Sequence, residues 1–152
     1  MNWSAKEFAA RGLEALVAEA NVSFNKYRGT IRGMHYQKDP HGQTKLVRCT
    51  RGAIYDVIVD LRPSSPTMTD WFAAELTADN HRMLYIPVGF AHGFQTLAED
   101  TEVSYQMSSV YVPGSGAGVR WNDRAFGISW PISEVTINER DRTYPDLVPL
   151  HS

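Results

Sequence analysis

The sequence predicts an all-β protein, a β-sandwich or small barrel with one helix at its start. Two observations carry this. Short runs of apolar, β-branched and aromatic residues recur at roughly ten-residue spacing between turn-forming residues. Helical periodicity is confined to the first part of the chain.

Residues 4–20 read as that helix. Ser4 followed by Glu7 is a capping box, and Ala9, Leu13, Leu16, Val17 and Ala20 recur at helical spacing, with Asn21 as the stop. Thr30 to Tyr36 reads as extended, and Lys38-Asp39-Pro40-His41-Gly42 as a loop. Lys45 to Thr50 and Ala53 to Leu61 read as two strands about a tight Arg51-Gly52 turn. In the second, Tyr55, Val57 and Val59 point one way and Ile54, Asp56 and Ile58 the other. Both faces are apolar, so this strand is expected between two layers. Asp56 is then a buried carboxylate that needs a partner.

Further strands are expected at Trp71 to Leu76, Met83 to Pro87, Gln95 to Leu97 and Glu102 to Tyr111. Val88 to Phe94 reads as punctuated and Pro113 to Gly118 as a flexible loop, since no helix pattern follows its glycines to bind a phosphate. A tail from residue 132 to 152 closes the chain. With a β core over about 28–131 and no repeat or linker, residues 1–152 are expected to form one domain.

Composition excludes several functions. The 15 basic and 17 acidic residues form no basic stripe of the kind that binds duplex nucleic acid. No apolar run is long enough for a membrane span, and the start lacks the apolar core of a signal peptide. The single cysteine, Cys49, cannot form an internal disulfide and reads as a buried small hydrophobe, so a soluble cytoplasmic protein is expected. The five histidines are scattered, with no acidic ligand beside His35 or His92, which argues against a metal site. No serine sits in a nucleophile elbow.

Proton transfer fits the residues better. A histidine is the natural base near neutral pH, a tyrosine can deliver a proton, and a lysine or arginine can hold an oxyanion. His35, Tyr105, Lys45 and Arg32 supply this set.

Five ordered stretches, within a likeness that runs from about residue 28 to 147, resemble the dTDP-4-dehydrorhamnose 3,5-epimerase family of cupins. They are Ile31-Arg32-Gly33-Met34-His35-Tyr36-Gln37, Gln43 to Arg48, Ala53 to Arg62, Ile86 to Phe94 and Val119 to Asp123. The resemblance implies a cupin jelly-roll and a cofactor-free epimerase, usually a homodimer, acting on a nucleotide-linked 4-keto-6-deoxyhexose at C3, C5 or both. It further implies His35 as the base, Asp141 as the acid that orients its ring, Lys45 at the enolate oxygen and Tyr105 as the opposite-face proton donor. Tyr111 would stack near the anionic intermediate, and Arg32, His92, Asn25 and Arg140 would contact substrate. Asp56 would orient Lys45 or His35, or serve the structure alone.

The chain also departs from the family pattern. An N-terminal Asp-x-Arg-Gly-x-Phe-x-Glu-like motif is missing, with Arg11-Gly12 falling inside the expected helix. A Gln-Asp-Asn element is reduced to Ser23-Phe24-Asn25, Gly116 replaces a glutamate, and Arg140 replaces a lysine. These losses concern substrate binding, so retained chemistry with altered sugar-nucleotide selectivity is expected. The rival reading is a silent sugar-nucleotide-binding cupin.

Overall fold

The strands carry at least one apolar face to bury, and two facing sheets satisfy that demand. The computed structural model describes residues 4–147. A short helix α1 (Ala5–Ala10) is followed by β1 (Glu19–Asn25), β2 (Thr30–Gln37), β3 (Lys45–Arg51), β4 (Ala53–Asp60) and β5 (Trp71–Thr77). Then come β6 (Met83–Ile86), β7 (Phe90–Thr96), β8 (Thr101–Met107), β9 (Gly116–Gly118), β10 (Thr136–Ile137) and α2 (Glu139–Arg142). A four-stranded sheet has the order β1-β8-β3-β6, and a six-stranded sheet the order β10-β2-β7-β4-β5 with β9 beside β2. The expected all-β architecture is borne out.

Two apolar layers result. Between the sheets, Val47, Cys49 and Val103 meet Ile54, Ile58, Leu76 and Phe94. Behind the larger sheet, Val57, Val59 and Met34 pack with Val119 and Phe126. The strand Ala53–Asp60 therefore lies between two layers, as its two apolar faces require.

The structure corrects several element boundaries. The helix expected over 4–20 ends at Ala10. Ser4 caps it as the motif requires, accepting the Glu7 amide at 3.4 Å, but Gly12 turns the chain out at φ +68°. Helical spacing further on is overridden by pairing: Ala18 donates to the Met107 carbonyl at 2.8 Å, and Asn21 lies opposite Tyr105 in a strand. Tertiary hydrogen bonds outweigh a weak helix propensity here.

Arg51-Gly52 does not close a hairpin. It carries the chain from the smaller sheet to the larger, so β3 and β4 never pair. Gly52 has φ +77°, and a Cβ there would stand 2.5 Å from Thr101 Oγ1. The stretch around His92 and Gly93 lies within β7, and the strand expected to reach Tyr111 ends at Met107. Part of the expected loop pairs with β2 instead, placing Gly118 opposite His35. The polar run near residue 139 forms α2, capped by Asn138, which accepts the Asp141 amide at 2.8 Å.

Candidate active site

An inter-sheet cleft of about 540 Å³ opens beside the central core. Arg32, His35, His92 and Phe94 line it from the larger sheet; Val22, Ser23, Lys45 and Tyr105 line it from the smaller. Asn138, Arg140 and Asp141 close one side.

In a regular strand, residues three apart point to opposite faces. Arg32 and His35 both reach the cleft because the β2–β7 register shifts between them. Such a bulge re-aims side chains. Gly33, at φ +132°, lies against Gly93, and a Cβ on Gly33 would stand 2.5 Å from Gly93 Cα. Two side-chain-free positions are needed for that approach.

Asp141 holds His35. Its Oδ1 lies 2.8 Å from His35 Nε2, and its Oδ2 accepts the Gly33 amide at 3.0 Å. Burial pushes the Asp141 carboxyl up, but the His35 and Gly33 contacts outweigh it and leave the group below the ordinary carboxylate range. A carboxylate there assigns the proton to Nε2 of neutral His35 and leaves Nδ1 as the basic nitrogen.

A second histidine–carboxylate pair lies deeper. His92 Nε2 is 2.7 Å from Asp56 Oδ1, with both residues buried. The pairing follows from register, because Asp56 opposes Phe94 and Ile58 opposes His92, which puts Asp56 and His92 on one face. Burial drives the His92 pKa down more strongly than Asp56 raises it. Asp56 therefore partners His92, not His35.

Lys45 and Tyr105 supply the charge and the phenol. Burial lowers Lys45 to about 8, while Asp56 holds it from falling further. Burial, reinforced by Asp56, raises the Tyr105 phenol above its ordinary value and keeps it protonated at neutral pH. The Tyr105 ring meets His92 edge-on, with centroids 6.2 Å apart.

Seven of the nine residues singled out in the sequence line this cleft: His35, Tyr105, Asp141, Lys45, Arg32, His92 and Arg140. Asn25 sits behind it, buried, accepting Arg32 Nε at 3.1 Å. Tyr111 stands outside it, exposed, because the chain leaves the sheet after Met107 and the Tyr111 amide donates to Glu19 Oε2 at 2.8 Å. Phe94, Ser23, Val22 and Asn138 are lining residues that sequence reasoning missed. Two of them had a signal: Phe94 ends the family-like stretch Ile86 to Phe94, and Ser23 stands in the reduced Ser23-Phe24-Asn25 element. Among the described residues, no group of three or more His, Cys, Asp or Glu is placed to hold a metal ion. No described helix is long and apolar enough to cross a membrane.

The comparisons with known proteins agree with this arrangement. The family model for dTDP-4-dehydrorhamnose 3,5-epimerase matches residues 1–148. A curated dTDP-4-dehydrorhamnose 3,5-epimerase of Sinorhizobium fredii is 44% identical over 149 residues, which is 97% of this chain and 74% of that protein. The crystal structure of the Bacillus anthracis dTDP-4-dehydrorhamnose 3,5-epimerase, with TDP and PPi bound, superposes with a TM-score of 0.92 at 45% identity, covering 95% of this chain and 83% of that one. The crystal structure of dTDP-6-deoxy-D-glucose-3,5-epimerase RmlC from Legionella pneumophila, in complex with dTDP-4-keto-L-rhamnose, gives a TM-score of 0.90 at 32% identity over 96% of this chain and 78% of that one. ChmJ, a 3'-monoepimerase from Streptomyces bikiniensis in complex with dTDP-quinovose, gives 0.87 at 34% identity over 95% and 74%. With its two-sheet cleft and a family match over nearly the whole chain, the protein belongs to the dTDP-4-dehydrorhamnose 3,5-epimerase family and is a carbohydrate epimerase.

Proposed function

We propose that the cleft inverts C3, C5 or both of a dTDP-linked 4-keto-6-deoxyhexose through an enolate. The observation that carries this reading is the opposition of His35 and Tyr105 across one cleft, on different sheets, with Lys45 beside them. The C4 ketone acidifies the hydrogens on its neighbouring carbons. His35 takes one of these through Nδ1, the C–H electron pair forms the enolate, and negative charge collects on the C4 oxygen. Asp141 supports the imidazolium that results. The Lys45 ammonium holds the oxyanion in a preorganised, low-dielectric site, where a fixed charge contributes most.

Tyr105 then donates its proton to the carbon from the opposite face, and the C=O bond reforms. The imidazolium and the phenolate return to their starting states by proton exchange with water. Arg32 and Arg140 offer positive charge at the cleft wall for the diphosphate. The ligands carried by the Bacillus anthracis and Legionella structures support a dTDP-linked substrate.

We place this chemistry in one cytoplasmic domain, supported by the free, buried Cys49. A homodimer is supported by exposed Val22 and Phe24 on the edge strand β1.

The experiment incubates the protein with a panel of dTDP-linked 4-keto-6-deoxyhexoses in D2O and follows C3 and C5 by proton NMR. Deuterium is expected at one or both carbons, with inversion. Saturable binding without exchange on every sugar would favour the silent sugar-nucleotide-binding reading instead.

A further inference from the structure

We propose that Tyr144 is a positioning residue for the His35 imidazole, seated by Gly118 and Arg140; the proposal rests on His35 being the base. Asp141 grips the imidazole at Nε2 alone, and one hydrogen bond leaves the ring free to swing about that contact. The Tyr144 ring meets the His35 ring edge-on, with centroids 5.8 Å apart and planes at 73°. A packed ring beside the imidazole restricts that swing. Hydrogen bond and ring thus reach the same imidazole from one short segment, at positions three residues apart.

Three features aim the Tyr144 ring. Gly118 lies opposite His35 in the β2–β9 pairing, and a Cβ on Gly118 would stand 2.5 Å from Tyr144 Cε2 and Cζ. The tyrosine ring fills the space that any other residue at 118 would claim. Arg140 Nε donates to the Tyr144 hydroxyl at 2.8 Å, with its guanidinium 5.8 Å from the ring centroid. The chain beyond Tyr144 is pinned as well. The Arg120 amide donates to the Pro145 carbonyl at 3.0 Å, and the Leu147 amide to Asp123 Oδ2 at 2.6 Å.

Arg140 also lines the cleft, so the contact to Tyr144 joins a substrate-facing cation to the support of the base. An arginine at 140 suits this double task. Its Nε–H can hold the tyrosine while the rest of the planar fork stays available to an anion, which the point charge of a lysine cannot match.

The test compares Tyr144→Ala, Tyr144→Phe and Gly118→Ala in the full chain, by steady-state kinetics on a dTDP-linked 4-keto-6-deoxyhexose and by thermal melting. Tyr144→Ala is expected to lower kcat about 30-fold, the scale of a small misplacement of a reacting group, and to raise KM as well, because Arg140 loses the hydroxyl that anchors it. Tyr144→Phe restores the ring and should recover kcat to within about threefold, while KM rises because Arg140 loses its anchor. Gly118→Ala pushes the ring aside without altering a polar group and should lower kcat in the same way, which covers the case in which Tyr144→Ala fails to fold. Unchanged kcat in Tyr144→Ala, or in Gly118→Ala where Tyr144→Ala does not fold, overturns the proposal. So does a loss in Tyr144→Ala that Tyr144→Phe does not recover. If His35→Asn turns over at the original rate, the underlying reading of His35 has failed, and the result is distinguishable from failure of the positioning role.

Discussion

The Asp56 carboxylate bonds His92 at 2.7 Å in the floor of the cleft, and the same carboxylate is what keeps the half-buried Lys45 from losing more of its basicity. One acidic group thus serves two cleft residues. Asp56→Ala would strand His92 and remove that support from Lys45. It should cost about 3 kcal/mol of stability in urea unfolding, the scale for removing one partner of a buried, charge-assisted pair. It should also move the alkaline fall of activity to lower pH.

Lys45 makes a pH prediction with two opposite signs. Its folded pKa, about 8, lies below the usual lysine value, so between about 8 and 10.5 the unfolded chain binds more protons than the folded one. Lys45 therefore makes stability rise with pH across that window. Activity should do the reverse, because the ammonium proposed to hold the oxyanion is lost above about 8. A kcat/KM profile and denaturant melts over this range check both signs, and Lys45→Met should flatten the stability slope and remove most of the activity.

The Gly33–Gly93 approach predicts a steric failure. A Cβ on Gly93 would lie 2.6 Å from Met34 Sδ and 2.7 Å from the Arg32 carbonyl oxygen. Gly93→Ala should therefore cost about 2 kcal/mol or more, in the range of overpacked cores, read as a lower denaturant midpoint. Gly33→Ala adds backbone strain at φ +132° and should be worse.

The legibility of this chain follows physical lines. The strand Ala53–Asp60 was readable because two apolar faces and a buried carboxylate are written into its alternation. The strand Glu19–Asn25 was not. Leu13, Leu16, Val17 and Ala20 satisfy a helical stripe, and only the bond of Ala18 to Met107 and the pairing beyond it reveal the extended form. Likewise the tight turn at Arg51-Gly52 is legible in the sequence, but not the sheet that receives the next strand.

For the site, residue types suggested proton transfer, while the resemblance to the family supplied the roles of His35, Asp141 and Tyr105. The Asp56–His92 pair depends on the β4–β7 register. The Tyr144–His35 contact depends on where a tail of irregular chain is pinned. Neither is local information, so neither could be read in advance.

Two variants test the proposed division of labour between His35 and Tyr105 most directly. A dTDP-linked 4-keto-6-deoxyhexose is incubated in D2O with His35→Asn or Tyr105→Phe, and deuterium uptake and inversion at C3 and C5 are followed separately by proton NMR. His35→Asn should abolish uptake altogether, because no base remains to form the enolate. Tyr105→Phe should still wash deuterium into the sugar while inversion falls by about 100-fold or more, the scale of losing a general acid. Uptake and inversion at the original rate in His35→Asn would contradict the account.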